Sequence, residues 1–182
     1  IRATFYVVGR NVDLYPHIVR RIVAEGHEIG NHTWTHRNLT RLSNASVRSE
    51  MDRTRDVIVS ACGVQPRTMR PPYGALRESQ RVWLQKEYGY PTIMWNVDPQ
   101  DWMRPGVSVV TSRILDKTRN GSIVLAHDLH KPTVDAMPET LDGLLQRGFQ
   151  FVTVSQLLGV SAQSAGAALK KPDQAVAGLA AP

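Results

Sequence analysis

Short apolar runs recur along the chain at 3–8, 27–31, 67–70, 92–97, 122–126 and 150–154. Between most of them apolar residues return every third or fourth position. The first pattern predicts strands and the second amphipathic helices, at about 14–25, 44–62, 77–88, 108–120 and 134–147. Ala3–Val8 reads as a buried strand. Ile18, Val19, Ile22 and Val23 form one stripe of the first helix, with Pro16 suited to its first turn. Val47, Met51, Val57, Ile58 and Ala61 form the core face of the second. Gly26, Gly63, Gly89, Gly121 and Gly148 each stand near the end of one of these segments, where a left-handed residue closes a helix. Strand–helix alternation of this kind predicts parallel strands with helices outside, an α/β architecture of barrel type. Residues 1–160 make one domain. From 161 to 182 the chain turns to Ala, Gly, Ser and Gln without strong periodicity and reads as a tail or linker.

Composition sharpens this picture in three places. The chain has 182 residues, 42% hydrophobic and 21% charged, enough for one domain with a real core. No apolar run approaches the ~20 residues of a transmembrane helix. The formal net charge is +6, which suits an acidic partner without choosing one. The arginines are dispersed over solvated helix faces, so nucleic acid is not the expected partner. Cys62 is the only cysteine, which excludes an intrachain disulfide and a cysteine-based zinc site, and it reads as a small core residue.

Candidate chemistry sits directly after the strand-like runs, where an α/β barrel builds its active site. Asn31-His32-Thr33-Trp34-Thr35-His36 follows the second run, and Arg70-Pro71-Pro72-Tyr73-Gly74 the third. Asp98-Pro99-Gln100-Asp101-Trp102 follows the fourth, and His127-Asp128 the fifth. Two imidazoles four residues apart can hold a divalent metal, with zinc the default for nitrogen ligands. His127 is a candidate proton donor, and a carboxylate such as Asp101 would keep it protonated. Trp95 and Trp102 offer flat apolar faces to a sugar ring, against the plainer reading of core packing. His17 and His27 read as structural, and His130 as a residue of the rim.

Taken in order, these four clusters resemble motifs of the polysaccharide deacetylases with a NodB homology domain, carbohydrate esterase family 4. The resemblance covers residues 1–158. It implies a distorted (β/α) barrel and metal-dependent removal of acetyl groups from N-acetylated sugars. Carried over residue by residue, it makes His32 and His36 metal ligands and Arg70 the residue that orients the catalytic base. Tyr73 matches the residue whose backbone N–H helps hold the oxyanion. Trp95 and Leu125 match walls of the groove and of the acetyl-methyl pocket. Asp101 matches the carboxylate that tunes the acid, and His127 that acid.

One motif is missing. The family's first, Thr-Phe-Asp-Asp-Gly, supplies the catalytic base and a third metal ligand, and no Asp-Asp pair occurs in these 182 residues. The expectation is a barrel lacking its first strand and helix in this chain, with an unpaired edge, low stability and no activity by itself. A separate N-terminal segment would carry the missing motif. Peptidoglycan is the expected substrate, with chitin or chitooligosaccharide next, and the setting implied is secreted or wall-associated in a bacterium. The alternatives are an acetylxylan esterase and a sugar-binding module without catalysis.

Overall fold

The computed structural model describes residues 1–160, so the expected tail at 161–182 lies outside the described residues. Strand β1 (Thr4–Val7) pairs in parallel with β2 (Glu28–Asn31), placing Thr4 opposite Glu28 and Val7 opposite Asn31. Single parallel bridges extend the sequence of strands, from Asn31 to Met69, from Met69 to Thr92 and from Val97 to Val124. The run at 67–70 is tied to β2 by the amides of Asn31 and Arg70, which donate to Thr68 O and Asn31 O at 2.9 and 3.0 Å. This is a distorted α/β barrel wall, built from parallel segments taken in chain order. Among the described residues β1 pairs only with β2, and Thr4–Val7 is half-buried rather than the buried strand expected.

Only two of the six expected strands form a regular ladder. Pro66, Pro71, Pro72 and Pro91 flank the third and fourth runs, and each removes a backbone donor. The sixth expected strand, 150–154, forms no bridge among the described residues. Thr153 instead opens helix α7 (Val154–Leu158) through a capping box. Its hydroxyl accepts the Gln156 amide at 3.2 Å, while its own amide donates to the Gln156 side chain at 2.9 Å. Glu28 ties that helix to the sheet: its carboxylate accepts from the hydroxyls of Thr4 and Ser155 at 2.8 and 2.5 Å.

The helices follow the apolar periodicity more closely. They are α3 (Asn44–Cys62), α4 (Glu78–Tyr88), α5 (Val107–Lys117) and α6 (Lys131–Gln146). Gly63 closes α3 and Gly89 closes α4 in the left-handed conformation (φ 73° and 68°). The first helix differs from its expectation. It starts earlier and breaks at Tyr15 into α1 (Gly9–Leu14) and α2 (Pro16–Ala24), because Pro16 has no N–H to continue the first helix and is favoured where the second begins. Val19 faces the core, but Ile18 is 48% exposed, so the stripe is narrower than the sequence pattern implied.

Three apolar clusters hold these layers. Val47 and Met51 of α3 pack with Leu39, Met69, Leu84 and Tyr88. Ile58 of the same helix packs with Val12, Val19 and Ile29, against partly buried Val57, Ala61 and Cys62. Val110, Ile114, Ala136 and Leu144 join α5 to α6. Among the described residues no helix is long and apolar enough to cross a membrane.

Because Ile58 is fully buried, Ile58→Ala should lower stability by about 2–5 kcal/mol in urea unfolding. Ile18→Ala should stay within about 0.5 kcal/mol, since its side chain is substantially exposed.

Candidate active site

His32 and His36 stand just past the end of β2, in a turn that uses unusual backbone. Thr33 and His36 both take positive φ, 68° and 58°, which non-glycine residues rarely adopt. The turn is fixed from inside by the Thr33 hydroxyl, which accepts the His36 amide at 3.1 Å. It folds the two rings into an edge-to-face pair with centroids 4.8 Å apart. A carbonyl can only accept, so the 2.6 Å contact between His32 Nδ1 and Arg70 O places the proton on Nδ1. Nε2 of His32 is then left with its lone pair free, the tautomer a metal ligand needs.

Burial pushes the His32 imidazole down to about 4, although its bond to the Arg70 carbonyl works the other way. His36 is lowered too, by burial first and then by the charge of His127. Both rings are therefore neutral near pH 7 and competent as nitrogen donors. Their chemistry fits a divalent metal. Among the described residues, however, no cluster of three or more His, Cys, Asp or Glu side chains forms, so the two imidazoles fill only part of a coordination shell.

Opposite behaviour is built around His127. The Asp101 carboxylate, 1% exposed, accepts from His127 Nδ1 at 2.9 Å and from the His127 amide at 2.7 Å. Thr133 adds a third bond to it at 3.0 Å. The Asp101 bond raises His127 above its ordinary value. Burial alone would raise Asp101, but the bonds from His127 and Thr133 outweigh it and hold the carboxyl below its usual range. The result is an imidazole held toward its protonated form, with Nδ1 committed to Asp101.

The Arg70 charge acts on both groups, disfavouring the protonated form of His32 and of His127 alike. Its guanidinium stacks over Tyr6 at 4.4 Å and over Trp95 at 5.6 Å from the ring centroids. Nε and a terminal nitrogen donate to the carbonyls of Ile93 and Met94, both at 3.3 Å. Tyr73 sits in the turn Pro72–Gly74 with φ 60°, its ring edge-on to His36 at 4.9 Å and 71% exposed. Gly74 lets this turn close: a Cβ there would come within 2.8 Å of Met94 and 3.3 Å of Trp95. Leu125 is buried, 7% exposed, and bonded through its amide to Val97 O at 2.9 Å. Trp102 is 54% exposed, which removes the core-packing reading for it.

The structure thus pairs His32 with His36 and Asp101 with His127, with Arg70 and Trp95 in contact beside them. Residues that spacing did not single out also take part. Tyr6 donates or accepts at Thr68 (3.1 Å) beneath Arg70, and Thr133 steadies Asp101. An aromatic in a strand and a threonine in a helix carry no local signal of such roles.

The histidine pair and the His127–Asp101 dyad lie close enough for the charge at 127 to act on both of the other rings. The sequence model of one family, polysaccharide deacetylase, matches residues 1–93. The chain belongs to that family, in its NodB-type branch, carbohydrate esterase family 4. The peptidoglycan-N-acetylglucosamine deacetylase PgdA of Listeria monocytogenes is 38% identical over 163 residues, 90% of this chain and 34% of that protein. The chain thus spans about a third of that relative's length. The peptidoglycan deacetylase PdaC of Bacillus subtilis superposes with a TM-score of 0.82 at 36% identity, covering 87% of this chain and 77% of that structure. BA3943 of Bacillus anthracis, described as a carbohydrate esterase family 4 pseudoenzyme, does so at 0.81 and 32%, covering 87% and 56%.

The dyad makes stability depend on pH. A raised His127 contributes fully below about pH 6.5, its unfolded value, and the contribution is lost as pH rises through the folded value. A lowered Asp101 contributes above its ordinary value near 4 and loses that contribution on further acidification. Asp101→Asn should therefore cost most between about pH 4.5 and 6.5, on the order of 2 kcal/mol after discounting for the partly exposed ring. Once pH has risen through the folded His127 value the ionic part of that loss should be gone, leaving the bonds from the His127 amide and Thr133, as thermal melts of both proteins followed across the alkaline range would register.

Proposed function

We propose that this chain carries most of the active site of a metal-dependent deacetylase that removes N-acetyl groups from a polymer containing N-acetylglucosamine, with peptidoglycan the preferred substrate. The observation that carries the reading is the His127–Asp101 bond, which favours the protonated imidazole, close to two imidazoles that burial holds neutral. His32 and His36 would hold the metal, zinc by the preference of nitrogen donors. When bound, it supplies electrophilic polarisation of the acetamide carbonyl.

The chain's own residues do the rest. Once a water deprotonated by the general base has added to the acetamide carbon, His127 gives its Nε2 proton to the departing amine nitrogen as the C–N bond breaks and acetate leaves, while Asp101 holds the imidazolium in place. The Tyr73 N–H, presented by a left-handed backbone, donates to the carbonyl oxygen as charge builds there. Trp95 and Leu125 shape the groove around sugar and acetyl methyl, and Trp102 offers its exposed face to a neighbouring ring. Arg70 is placed to orient the general base. That base is the family's Asp-Asp motif, which none of these 182 residues provides. The reading requires a separate segment to supply it, and this chain alone is inactive. Kinship with the Listeria and Bacillus peptidoglycan deacetylases supports peptidoglycan as a substrate and a secreted or wall-associated setting.

A second reading, a sugar-binding module without catalysis, draws on the Bacillus anthracis neighbour and on the incomplete ligand set. Acetate release separates the two. The protein assayed with its Asp-Asp segment should liberate acetate from peptidoglycan and from N-acetylglucosamine oligomers. Chelation or His32→Ala should lower the rate by a hundredfold or more, roughly the loss of a Lewis-acid contribution of several kcal/mol. Sugar binding without acetate release would favour the module, release only from acetylxylan would move the substrate, and release indifferent to both chelation and His32→Ala would sink the metal assignment.

A further inference from the structure

The turn that carries His32 and His36 is held from outside by two consecutive residues of α3. The Glu50 carboxylate takes Thr35 at both ends: Oε2 accepts the Thr35 amide at 2.7 Å and Oε1 the Thr35 hydroxyl at 2.6 Å. One residue on, the Met51 carbonyl accepts from the Asn31 side chain at 2.9 Å, and the same Asn31 amide group accepts the Thr33 N–H at 2.9 Å. Asn31 directly precedes His32, and Thr35 directly precedes His36. Each imidazole is therefore anchored one residue upstream, and both anchors end on the same turn of one helix.

We infer that Glu50 is a positioning residue for the histidine pair, setting the separation of two metal-binding nitrogens through Thr35 rather than serving to dock α3. The inference rests on the reading of His32 and His36 as metal ligands. Two features of the geometry support it. First, the turn contains two non-glycine residues in the left-handed region, a conformation that persists only where surrounding contacts over-determine it. Second, α3 has little need of a buried carboxylate for docking. Val47, Met51 and Ile58 are each 0% exposed and already seat the helix against the sheet and its neighbours. Glu50 is 9% exposed, and burying a carboxylate is a costly substitute for an apolar contact. Its hydrogen bonds go to the loop, and its own backbone carbonyl is engaged separately by Thr54 at 2.8 Å.

The opposite rim of the turn is closed by α1. The amides of Gly9 and Arg10 donate to Thr33 O and Trp34 O at 2.9 and 3.1 Å. Trp34 lies under the Arg53 guanidinium, 4.1 Å from its centroid. With α1 fixing residues 33 and 34, Glu50 is the constraint on residue 35 and so on the direction in which His36 leaves the turn.

The test uses the chain together with its Asp-Asp segment and zinc alone as probe, with Glu50→Ala, Glu50→Gln and a control on the same helix system, Glu87→Gln. Glu87 receives a bidentate bridge from Arg48 of α3 but has no bond to the turn. Zinc affinity, measured by competition with a chromophoric chelator, should fall about ten- to a hundredfold in Glu50→Ala, the range seen when groups behind a metal ligand are removed. Glu50→Gln keeps an acceptor for the Thr35 amide and should recover most of that loss, and Glu87→Gln should leave affinity unchanged. In the metal-free protein, amide exchange at Thr35 and His36 should quicken in Glu50→Ala while the amides at the centre of α3 keep their protection. A folded Glu50→Ala protein with wild-type zinc affinity, or with unchanged exchange at Thr35 and His36, would overturn the inference. If Glu50→Ala does not fold, Thr35→Val, which removes only the hydroxyl bond, decides by the same two readouts. If the wild-type chain takes up no zinc, the metal reading fails on its own, and the exchange data still decide whether Glu50 positions the turn.

Discussion

Three imidazoles lie close enough to feel one another's charge, and the deacetylase proposed for them needs two to stay neutral while the third keeps its proton. Neutral rings are needed at 32 and 36 because a protonated imidazole offers no lone pair. A charged ring is needed at 127 because an acid must arrive loaded. The protein separates the three with two devices. Burial strips stabilising water from His32 and His36, and a buried carboxylate stabilises the charge at His127. The arrangement reinforces itself, since the His127 charge further disfavours protonation of both neighbours. Environments that push like groups apart mark an assignment of acid and non-acid roles.

The architecture serves that separation. Parallel segments end at one face and deliver His32, Arg70, Trp95 and His127 from four different positions along the chain. The backbone at that face is bent at unusual places: Thr33, His36, Tyr73, Gln100 and Arg104 all take positive φ without being glycine. Such conformations gather where surrounding contacts hold them. Here those contacts come from behind, with Glu50 and Met51 on one side, Gly9 and Arg10 on another, and Thr133 under Asp101. The visible site is thin, and its precision is supplied by a layer of residues one step away.

Much of this was legible from residue order. The second expected helix, at about 44–62, was readable because its apolar face repeats at helical spacing and Gly63 closes it. His32, His36, Arg70, Asp101 and His127 stood out because each lies in a polar cluster directly after an apolar run, the strand end at which a barrel gathers its reactive groups. Other features resisted. The third to fifth strands are apolar enough to read as ladders, yet prolines beside the third and fourth leave them as single bridges. The run at 150–154 looks like a strand, but the Thr153–Gln156 capping box makes its end a helix start. Ile18 fits a periodic stripe and still faces solvent, because Pro16 restarts the helix. Tyr6, Glu50 and Thr133 act through partners 62, 15 and 32 residues away, a distance no local pattern reports.

The separation of the three imidazoles can be read directly by following the ring resonances of His32, His36 and His127 against pH in the metal-free protein, with assignments from single substitutions. His127 should titrate above the ordinary histidine value of about 6.5, and His32 and His36 below it, with His32 near 4. Three rings titrating together near that ordinary value, or His127 losing its proton first, would contradict that separation.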